Sequence, residues 1–181
     1  MKILGLAGSL RADSLNAQLL RLTAEELPDG VELDVFGGLA EIPPFDQDLE
    51  DLAPEAVEAL KAAIADADAV LVATPEYNGS IPGQLKNALD WVSRPIRETP
   101  IRGKPVAAIG ASTGAFGAVW AQRELKKVLG LMGARVLDVE LPVAKADRRL
   151  EDPDPELREQ LSGVVDVLVA AVTPAPAGVL S

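Results

Sequence analysis

Hydrophobic and polar positions follow two distinct patterns along this chain. Short, nearly continuous apolar runs alternate with longer stretches in which apolar residues recur every three or four positions. The short runs predict strands at Ile3–Ala7, Val31–Phe36, Ala69–Ala73, Pro105–Ile109 and Val136–Val139. The longer stretches predict helices over residues 15–27, 54–67, 84–93, 117–132 and 155–172. Because strands that are apolar on both faces are typical of a sheet covered on two sides, the pattern predicts an α/β protein with a doubly wound parallel sheet.

The boundaries of these helices carry local signals. Ser14 is a candidate N-cap of the first helix, Pro54 stands at the start of the second, and Gly133 follows the fourth. Neither a repeat nor a linker divides the chain, so residues 1–173 are expected to form one domain and 174–181 a flexible C-terminal tail. Residues 37–53 are expected to form a solvated, acidic loop.

The amino-acid composition restricts the possible chemistry more than it restricts the possible folds. The 181 residues include 17 Lys and Arg, 28 Asp and Glu, and neither His nor Cys, for a formal net charge of −11. These absences exclude a Ser-His-Asp triad, a thiol nucleophile, a disulfide framework and His or Cys metal sites. The acidic balance argues against a nucleic-acid-binding protein. Any chemistry must therefore come from carboxylates, hydroxyls, backbone amides or a cofactor.

No segment predicts export or membrane insertion. The apolar start ends at Ser9-Leu10-Arg11, which is too early for a signal peptide, and the longest uncharged run, 105–122, is too polar to span a bilayer. We expect a cytoplasmic protein without a membrane association, and we interpret the glycosylation-like triplet Asn78-Gly79-Ser80 as accidental.

Three unusual loops follow the first, third and fourth predicted strands, at the sheet edge where α/β proteins bind ligands. Gly8–Asn16 joins a strand to a helix, a junction that suits an anion, and Arg11 adds a guanidinium able to grip a phosphate. Thr74–Gly83 carries two prolines, two glycines and the only tyrosine, Tyr77. Gly110–Gly117 has three glycines and two hydroxyl residues, a weaker signal. Neither GxGxxG nor a P-loop motif is present.

The motifs GSLRADSLN, PEYNGSIPGQLKNALDW and GKPVAAIGASTGAFG resemble those of the NADPH-dependent FMN reductase family, from residue 1 to about 140. This resemblance implies a flavodoxin-like five-stranded sheet of order 2-1-3-4-5. It implies that Ser9, Arg11, Ser14 and Asn16 hold the FMN phosphate, that Pro75, Glu76, Tyr77, Asn78, Gly79 and Ser80 border the isoalloxazine, and that Ser112, Thr113 and Gly114 close its far side.

The resemblance also implies the reaction. Hydride would pass from NADH or NADPH to bound FMN and then to a quinone, a free flavin, an azo dye or a metal oxyanion such as chromate. Such a reaction needs no catalytic side chain that titrates, because the flavin carries the chemistry. We therefore favour a structural or ring-contacting role for Glu76 over that of a general base, and expect Asp13 to point outward or to help cap the helix.

Two further interpretations remain open at this point. A flavodoxin-type electron carrier fits the fold and charge, although Arg11 and the single tyrosine argue against it, and a flavin-free protein on the same scaffold is a third possibility. Arg94, Arg97, Arg102 and Lys104 would either receive a nicotinamide 2′-phosphate or decorate the surface, which we favour. Trp120 and Leu131 fall on the outer face of helix 117–132 and are candidate contacts in a homodimer or homotetramer.

Overall fold

Six parallel strands form the centre of the fold in the computed structural model, which describes residues 1–172. The strands are β1 (Lys2–Ala7), β2 (Glu32–Val35), β3 (Ala69–Thr74), β4 (Pro105–Ala111), β5 (Arg135–Val136) and β6 (Leu141–Val143). Their order is β2-β1-β3-β4-β5, and β6 also pairs with β4. The predicted order and parallel arrangement are confirmed. The predicted tail, 174–181, lies outside the described residues.

Helices cover both faces of this sheet. They are α1 (Leu15–Ala24), α2 (Glu55–Asp66), α3 (Gly83–Val92), α4 (Val119–Leu131), α5 (Ala146–Arg149) and α6 (Pro155–Val172). Side chains alternate along β3 and β4, so that Val70 and Val72 pack among α2, α3 and α4 while Leu71 and Ala73 pack among α1 and α6. Every residue of both strands is buried, as the continuous apolar runs predict. Within residues 1–172, no helix is both long and apolar enough to cross a membrane.

The fifth strand differs from the prediction. Instead of one strand at Val136–Val139, two short strands, β5 and β6, pair with successive parts of β4. The break occurs because the N–H of Val139 bonds to the carbonyl of Leu137 (2.9 Å), a tight turn that takes the backbone out of register. Glu140 then turns outward and its carboxylate binds the Arg123 guanidinium of α4 at 2.9 and 3.0 Å, which lowers the pKa of Glu140.

Segment 37–53 is also better anchored than predicted. It contains two short 3-10 helices, Gly38–Glu41 and Gln47–Leu52. The first contains a buried residue, and the second contains none. Three side chains on one face of α3, those of Gln84, Asn87 and Trp91, donate hydrogen bonds of 2.7 to 2.9 Å to carbonyls of this segment. The acceptors are Leu39, Ile42 and Pro43. The first half of the segment therefore packs against the protein, and the acidic half faces solvent.

Two of the predicted helix-terminus signals are confirmed, whereas Pro54 lies at the N-cap of α2, one residue before its first helical position. Ser14 caps α1 by accepting from the N–H of Ala17 (3.2 Å), and Gly133, with a φ of 88°, follows the end of α4. Helix α4 begins two residues later than predicted because Gly117 and Ala118 both have left-handed backbone conformations, with φ of 56° and 62°. That turn sets the direction in which α4 leaves the third loop.

Candidate functional site

The carboxyl ends of β1, β3 and β4 lie side by side, and the three loops singled out in the sequence meet there. Ala7 is in register with Ala73, and Thr74 with Gly110. All three loops line a common cleft, whose lining residues are Ser9, Arg11, Leu15, Asn16, Pro75, Glu76, Tyr77, Ala111, Ser112 and Thr113. Of the predicted site residues, Ser14, Asn78, Gly79, Ser80 and Gly114 do not line this cleft. Leu15 and Ala111 line it without having been predicted.

The first loop presents unpaired donors at the N-terminus of α1. The side chain of Ser14 is occupied as the helix cap, but the N–H groups of Leu15 and Asn16 have no acceptor within residues 1–172. Arg11 is exposed, and no group in the described chain pairs with its guanidinium. Asp13 is exposed as well and does not cap the helix, so its carboxylate points outward as expected. The loop therefore offers positive and neutral donors to an anion.

The second loop is a two-residue β-hairpin turn. Tyr77 and Ser80 exchange backbone hydrogen bonds of 3.0 and 3.1 Å, and Asn78 and Gly79 between them have φ of 53° and 74°. Positive φ at both central positions is the type I′ geometry that an Asn-Gly pair favours. Asn78 and Gly79 thus build the turn, and Tyr77, with 48% of its surface exposed, borders the cleft.

Glu76 joins this hairpin to α4. One oxygen of its carboxylate accepts hydrogen bonds from the N–H groups of Trp120 (3.0 Å) and Ala121 (3.2 Å), in the first turn of α4. These amides have no partner within the helix, and the positive end of the helix dipole favours a negative charge there. Glu76 therefore lines the cleft with its charge already engaged, in agreement with a structural role.

The third loop is fixed by backbone bonds to the end of β6 and to the residues that follow it. Ser112 donates to Val143 (3.1 Å) and accepts from Ala146 (3.0 Å), while Gly114 accepts from Lys145 (3.1 Å). These bonds hold the loop at the cleft although Thr113 and Gly114 are themselves exposed. The hydroxyls of Ser112 and Thr113 therefore sit on a fixed backbone.

The side chain of Gln122 makes three further hydrogen bonds around the end of the third loop. It is fully buried in α4, and its amide donates to the carbonyls of Gly117 (3.2 Å) and Ala118 (3.4 Å) while accepting from the N–H of Leu141 (3.1 Å). Sequence reasoning missed Gln122. The available signal was a polar residue four positions after Ala118, on the side of the helix that the apolar stripe marks as buried.

The cations considered for the nicotinamide 2′-phosphate lie elsewhere. Lys104 precedes β4, at the opposite end of the sheet from the cleft, and donates to the carbonyls of Ala65 and Ala67 at the end of α2. Arg102 donates to the carbonyl of Ile96 (2.6 Å), and the guanidinium of Arg94 lies 5.9 Å from the ring centre of Phe45. These contacts agree with the interpretation of these residues as surface residues.

Comparison with known proteins decides the family. The model of the NADPH-dependent FMN reductase family matches residues 1–148, which contain all three loops of the cleft. The chain belongs to this family. It is 47% identical over 128 residues to a 2-hydroxy-1,4-benzoquinone reductase of Burkholderia sp, covering 71% of this chain and 69% of that protein. It is 40% identical over 169 residues to an NAD(P)H-dependent FMN reductase of Pseudomonas aeruginosa, covering 88% and 90%.

Solved structures agree with this assignment. The flavoenzyme NAD(P)H:(acceptor) oxidoreductase of Paracoccus denitrificans matches with a TM-score of 0.84 and 36% identity, over 94% of this chain and 96% of that one. A flavodoxin of Pseudomonas aeruginosa, at 18% identity and a TM-score of 0.62, covers 93% of this chain and 99% of its own, and shares the fold. This member of the FMN reductase family is an oxidoreductase with FMN as its cofactor and NAD(P)H as co-substrate.

The donors around the cleft fit the phosphate group of FMN. Within residues 1–172 the guanidinium of Arg11 and the N–H groups of Leu15 and Asn16 have no partner, and Ser9 contributes a hydroxyl. Glu76, the carboxylate that lines the cleft, is bound to α4 and does not oppose a phosphate with a free charge. Since the protein as a whole carries −11, these local donors must provide the attraction for a dianion.

Proposed function

We propose that this oxidoreductase uses NAD(P)H to reduce quinones, with FMN held in the cleft between the three loops. The observation that carries the proposal is the convergence of Arg11, Tyr77 and Ser112 on a single cleft from three separate loops. Quinones are the proposed acceptors because relatives from Burkholderia sp, Escherichia coli and Pseudomonas putida are named for quinone reduction. Free flavins, azo dyes and metal oxyanions remain as outcomes of an acceptor screen.

Each loop has a proposed task. Ser9 and Arg11, with the free amides of α1, bind the phosphate, and Ser14 and Asn16 shape that end of the loop. Pro75 to Ser80 border the ring, with Tyr77 exposed at its edge, and Ser112 to Gly114 close the opposite side. The hairpin and the backbone bonds of the third loop keep these walls in place before any ligand arrives, which reduces the ordering cost of binding.

The reaction requires little acid–base chemistry from the protein. When bound, FMN would supply the redox chemistry between the nicotinamide and the acceptor. The side chains bind and orient the reactants. Glu76 keeps its carboxylate on the amides of α4, and the chain contains no histidine to act as a general base.

A stopped-flow experiment tests the activity. The protein is purified, its FMN content is measured, and it is mixed anaerobically with NADH or NADPH while the flavin absorbance is followed. We expect rapid bleaching by at least one nucleotide and reoxidation by a benzoquinone. Absence of reduction by both nucleotides would contradict the proposal and favour an electron carrier. Reoxidation by chromate or an azo dye, but not by quinones, would reject the proposed acceptor.

Arg11 provides the test of the phosphate site. Arg11→Ala removes one charge-assisted contact, worth roughly 1.5–3 kcal/mol, so FMN affinity should fall by about ten- to a hundredfold. Arg21→Ala, a substitution at the far end of α1, is the matched control and should leave the affinity unchanged. An Arg11→Ala variant with unaltered affinity would remove Arg11 from the site.

We also propose that the enzyme is a homodimer or homotetramer with the outer face of α4 in the interface. Trp120 is 45% exposed, contacts exposed Phe116 in a tilted arrangement with ring centres 4.7 Å apart, and shares its helix face with exposed Leu131. Light scattering checks this: Trp120→Glu should lower the measured mass, and Val167→Glu, on the exposed side of α6, should not. Equal masses for wild type and Trp120→Glu would exclude this face.

A further inference from the structure

Asn16 and Ala111 are joined by two hydrogen bonds across 95 positions of sequence. The Nδ2 group of Asn16 donates to the carbonyl of Ala111 at 3.1 Å, and its Oδ1 accepts from the N–H of Ala111 at 3.0 Å. The Asn16 side chain is buried, with 2% of the residue's surface exposed. Its acceptor oxygen and one of its donors are therefore occupied by the backbone of another element.

The position of Ala111 explains why it needs this partner. Strand β3 ends at Thr74, which is in register with Gly110, so no strand residue of β3 faces Ala111. On its other side Ala111 is in register with Val143 of β6. A buried backbone N–H and C=O without partners would be costly, and the primary amide of Asn16 supplies both a donor and an acceptor in place of the missing strand residue.

We propose that Asn16 is a positioning residue that holds two walls of the flavin cleft at a set distance, and that its side chain is not a ligand of the phosphate. The inference rests on the proposed FMN function. Asn16 is the second residue of α1, whose first turn faces the cleft, and Ala111 directly precedes the lining residues Ser112 and Thr113. The amide pair therefore ties the third loop to the helix that presents the phosphate donors.

The two roles make different predictions for flavins with and without a phosphate. Loss of a phosphate ligand weakens FMN binding and spares riboflavin, which lacks the phosphate. Loss of a positioning residue weakens both flavins by the same factor, because the ring and ribityl contacts are misplaced along with the phosphate contacts. The ratio of the two affinities separates the roles without reference to turnover.

The experiment is calorimetric titration of flavin-free full-length protein with FMN and with riboflavin. For Asn16→Ala we expect both affinities to fall by the same factor, on the order of tenfold. Arg11→Ala should lower the affinity for FMN and leave that for riboflavin unchanged. Thr23→Ala, which removes another buried hydrogen bond of α1, from Thr23 to Leu19, should lower stability and leave both affinities unchanged. If Asn16→Ala does not fold, Asn16→Ser is measured by the same criterion.

Each outcome decides a separate point. An Asn16 variant that loses FMN affinity and keeps riboflavin affinity would make Asn16 a phosphate ligand and overturn the inference. Unchanged affinities for both flavins would overturn it as well, because the bonds to Ala111 would then serve stability alone. A wild-type protein that binds neither flavin would instead reject the proposed function.

Discussion

The carboxylate of Glu76 accepts the backbone N–H of Trp120 at 3.0 Å, so the loop after β3 is bonded directly to the first turn of α4. This contact links the wall of the cleft to the helix whose outer face we propose as the subunit interface. Trp120 therefore stands between the two features, with its amide turned to the site and its ring exposed.

Replacing Glu76 separates a structural from a catalytic role. Glu76→Ala leaves the amides of Trp120 and Ala121 without their acceptor, and the free energy of unfolding should fall by about 1 kcal/mol, as for the loss of a helix cap. Glu76→Gln keeps an acceptor oxygen, loses the charge, and should cost about 0.3–1 kcal/mol. Urea denaturation measures both. The pH profile of turnover should be the same in Glu76→Gln and wild type, and a lost pH limb would identify a general base.

Gly117 should tolerate no side chain. A Cβ there would lie 2.4 Å from the carbonyl carbon of Pro142, and the φ of 56° disfavours any other residue. Gly117→Ala should therefore destabilise the fold by more than the roughly 1–3 kcal/mol of backbone strain alone. Gly30→Ala is the matched control, since Gly30 also has positive φ, of 80°, but open space around it. Equal losses in thermal unfolding for the two variants would show that the clash with Pro142 is relieved.

Replacing the buried Gln122 should lower the free energy of unfolding. Gln122→Met keeps the approximate shape of the side chain and leaves the N–H of Leu141 without an acceptor, which should cost about 1–3 kcal/mol. Gln160→Met, on the exposed side of α6, should cost little. The free energy of unfolding in urea compares the two. A loss for Gln122→Met no larger than the control would contradict the assigned support of the third loop.

Asp154 should make stability depend on acid pH. Its carboxylate accepts from the N–H of Leu157 (2.7 Å) at the start of α6 and from Arg149 (3.2 Å), and these bonds lower its pKa from the usual 3.8. A folded-state pKa below the unfolded value gives stability that is present above pH 3.8 and lost as the pH falls through the lower value.

The measurement is a series of urea unfolding curves at falling pH, with Asp154→Asn as the comparison. Asparagine keeps the capping oxygen but does not titrate, so wild type should be the more stable protein at pH 7 and the difference should shrink below about pH 4. A difference that stays constant down to the acid limit would show that Asp154 does not carry this effect.

The sheet could be predicted from sequence because each central strand is apolar on both faces. Ala69–Thr74 and Pro105–Ala111 are buried at every position, and such runs, alternating with helical patterns, are typical of a covered parallel sheet. The division of the predicted fifth strand into β5 and β6 could not be predicted. The turn at Val139 depends on a hydrogen bond to Leu137 and on Glu140 reaching Arg123, contacts that no periodicity reports.

The location of the candidate site could be predicted from the sequence, whereas the contacts of its residues could be predicted only in part. The three loops had to meet because parallel strands end at one edge, and the Asn78-Gly79 turn follows from its residues. The engagement of Glu76 with α4, and of Asn16 with Ala111, joins residues distant in sequence. Those partners exist only once the chain is folded, so a motif could indicate the residues and not their bonds.

The anchoring of segment 37–53 on α3 has an optical consequence. Of the two tryptophans in the chain, Trp91 is fully buried, bonded to Pro43 and in edge contact with Phe45, while Trp120 is half exposed. Buried indole emits at shorter wavelength than hydrated indole, so the emission of the folded protein should contain two separable components. The blue component reports the seating of segment 37–53 on α3, and the red component reports what covers the outer face of α4.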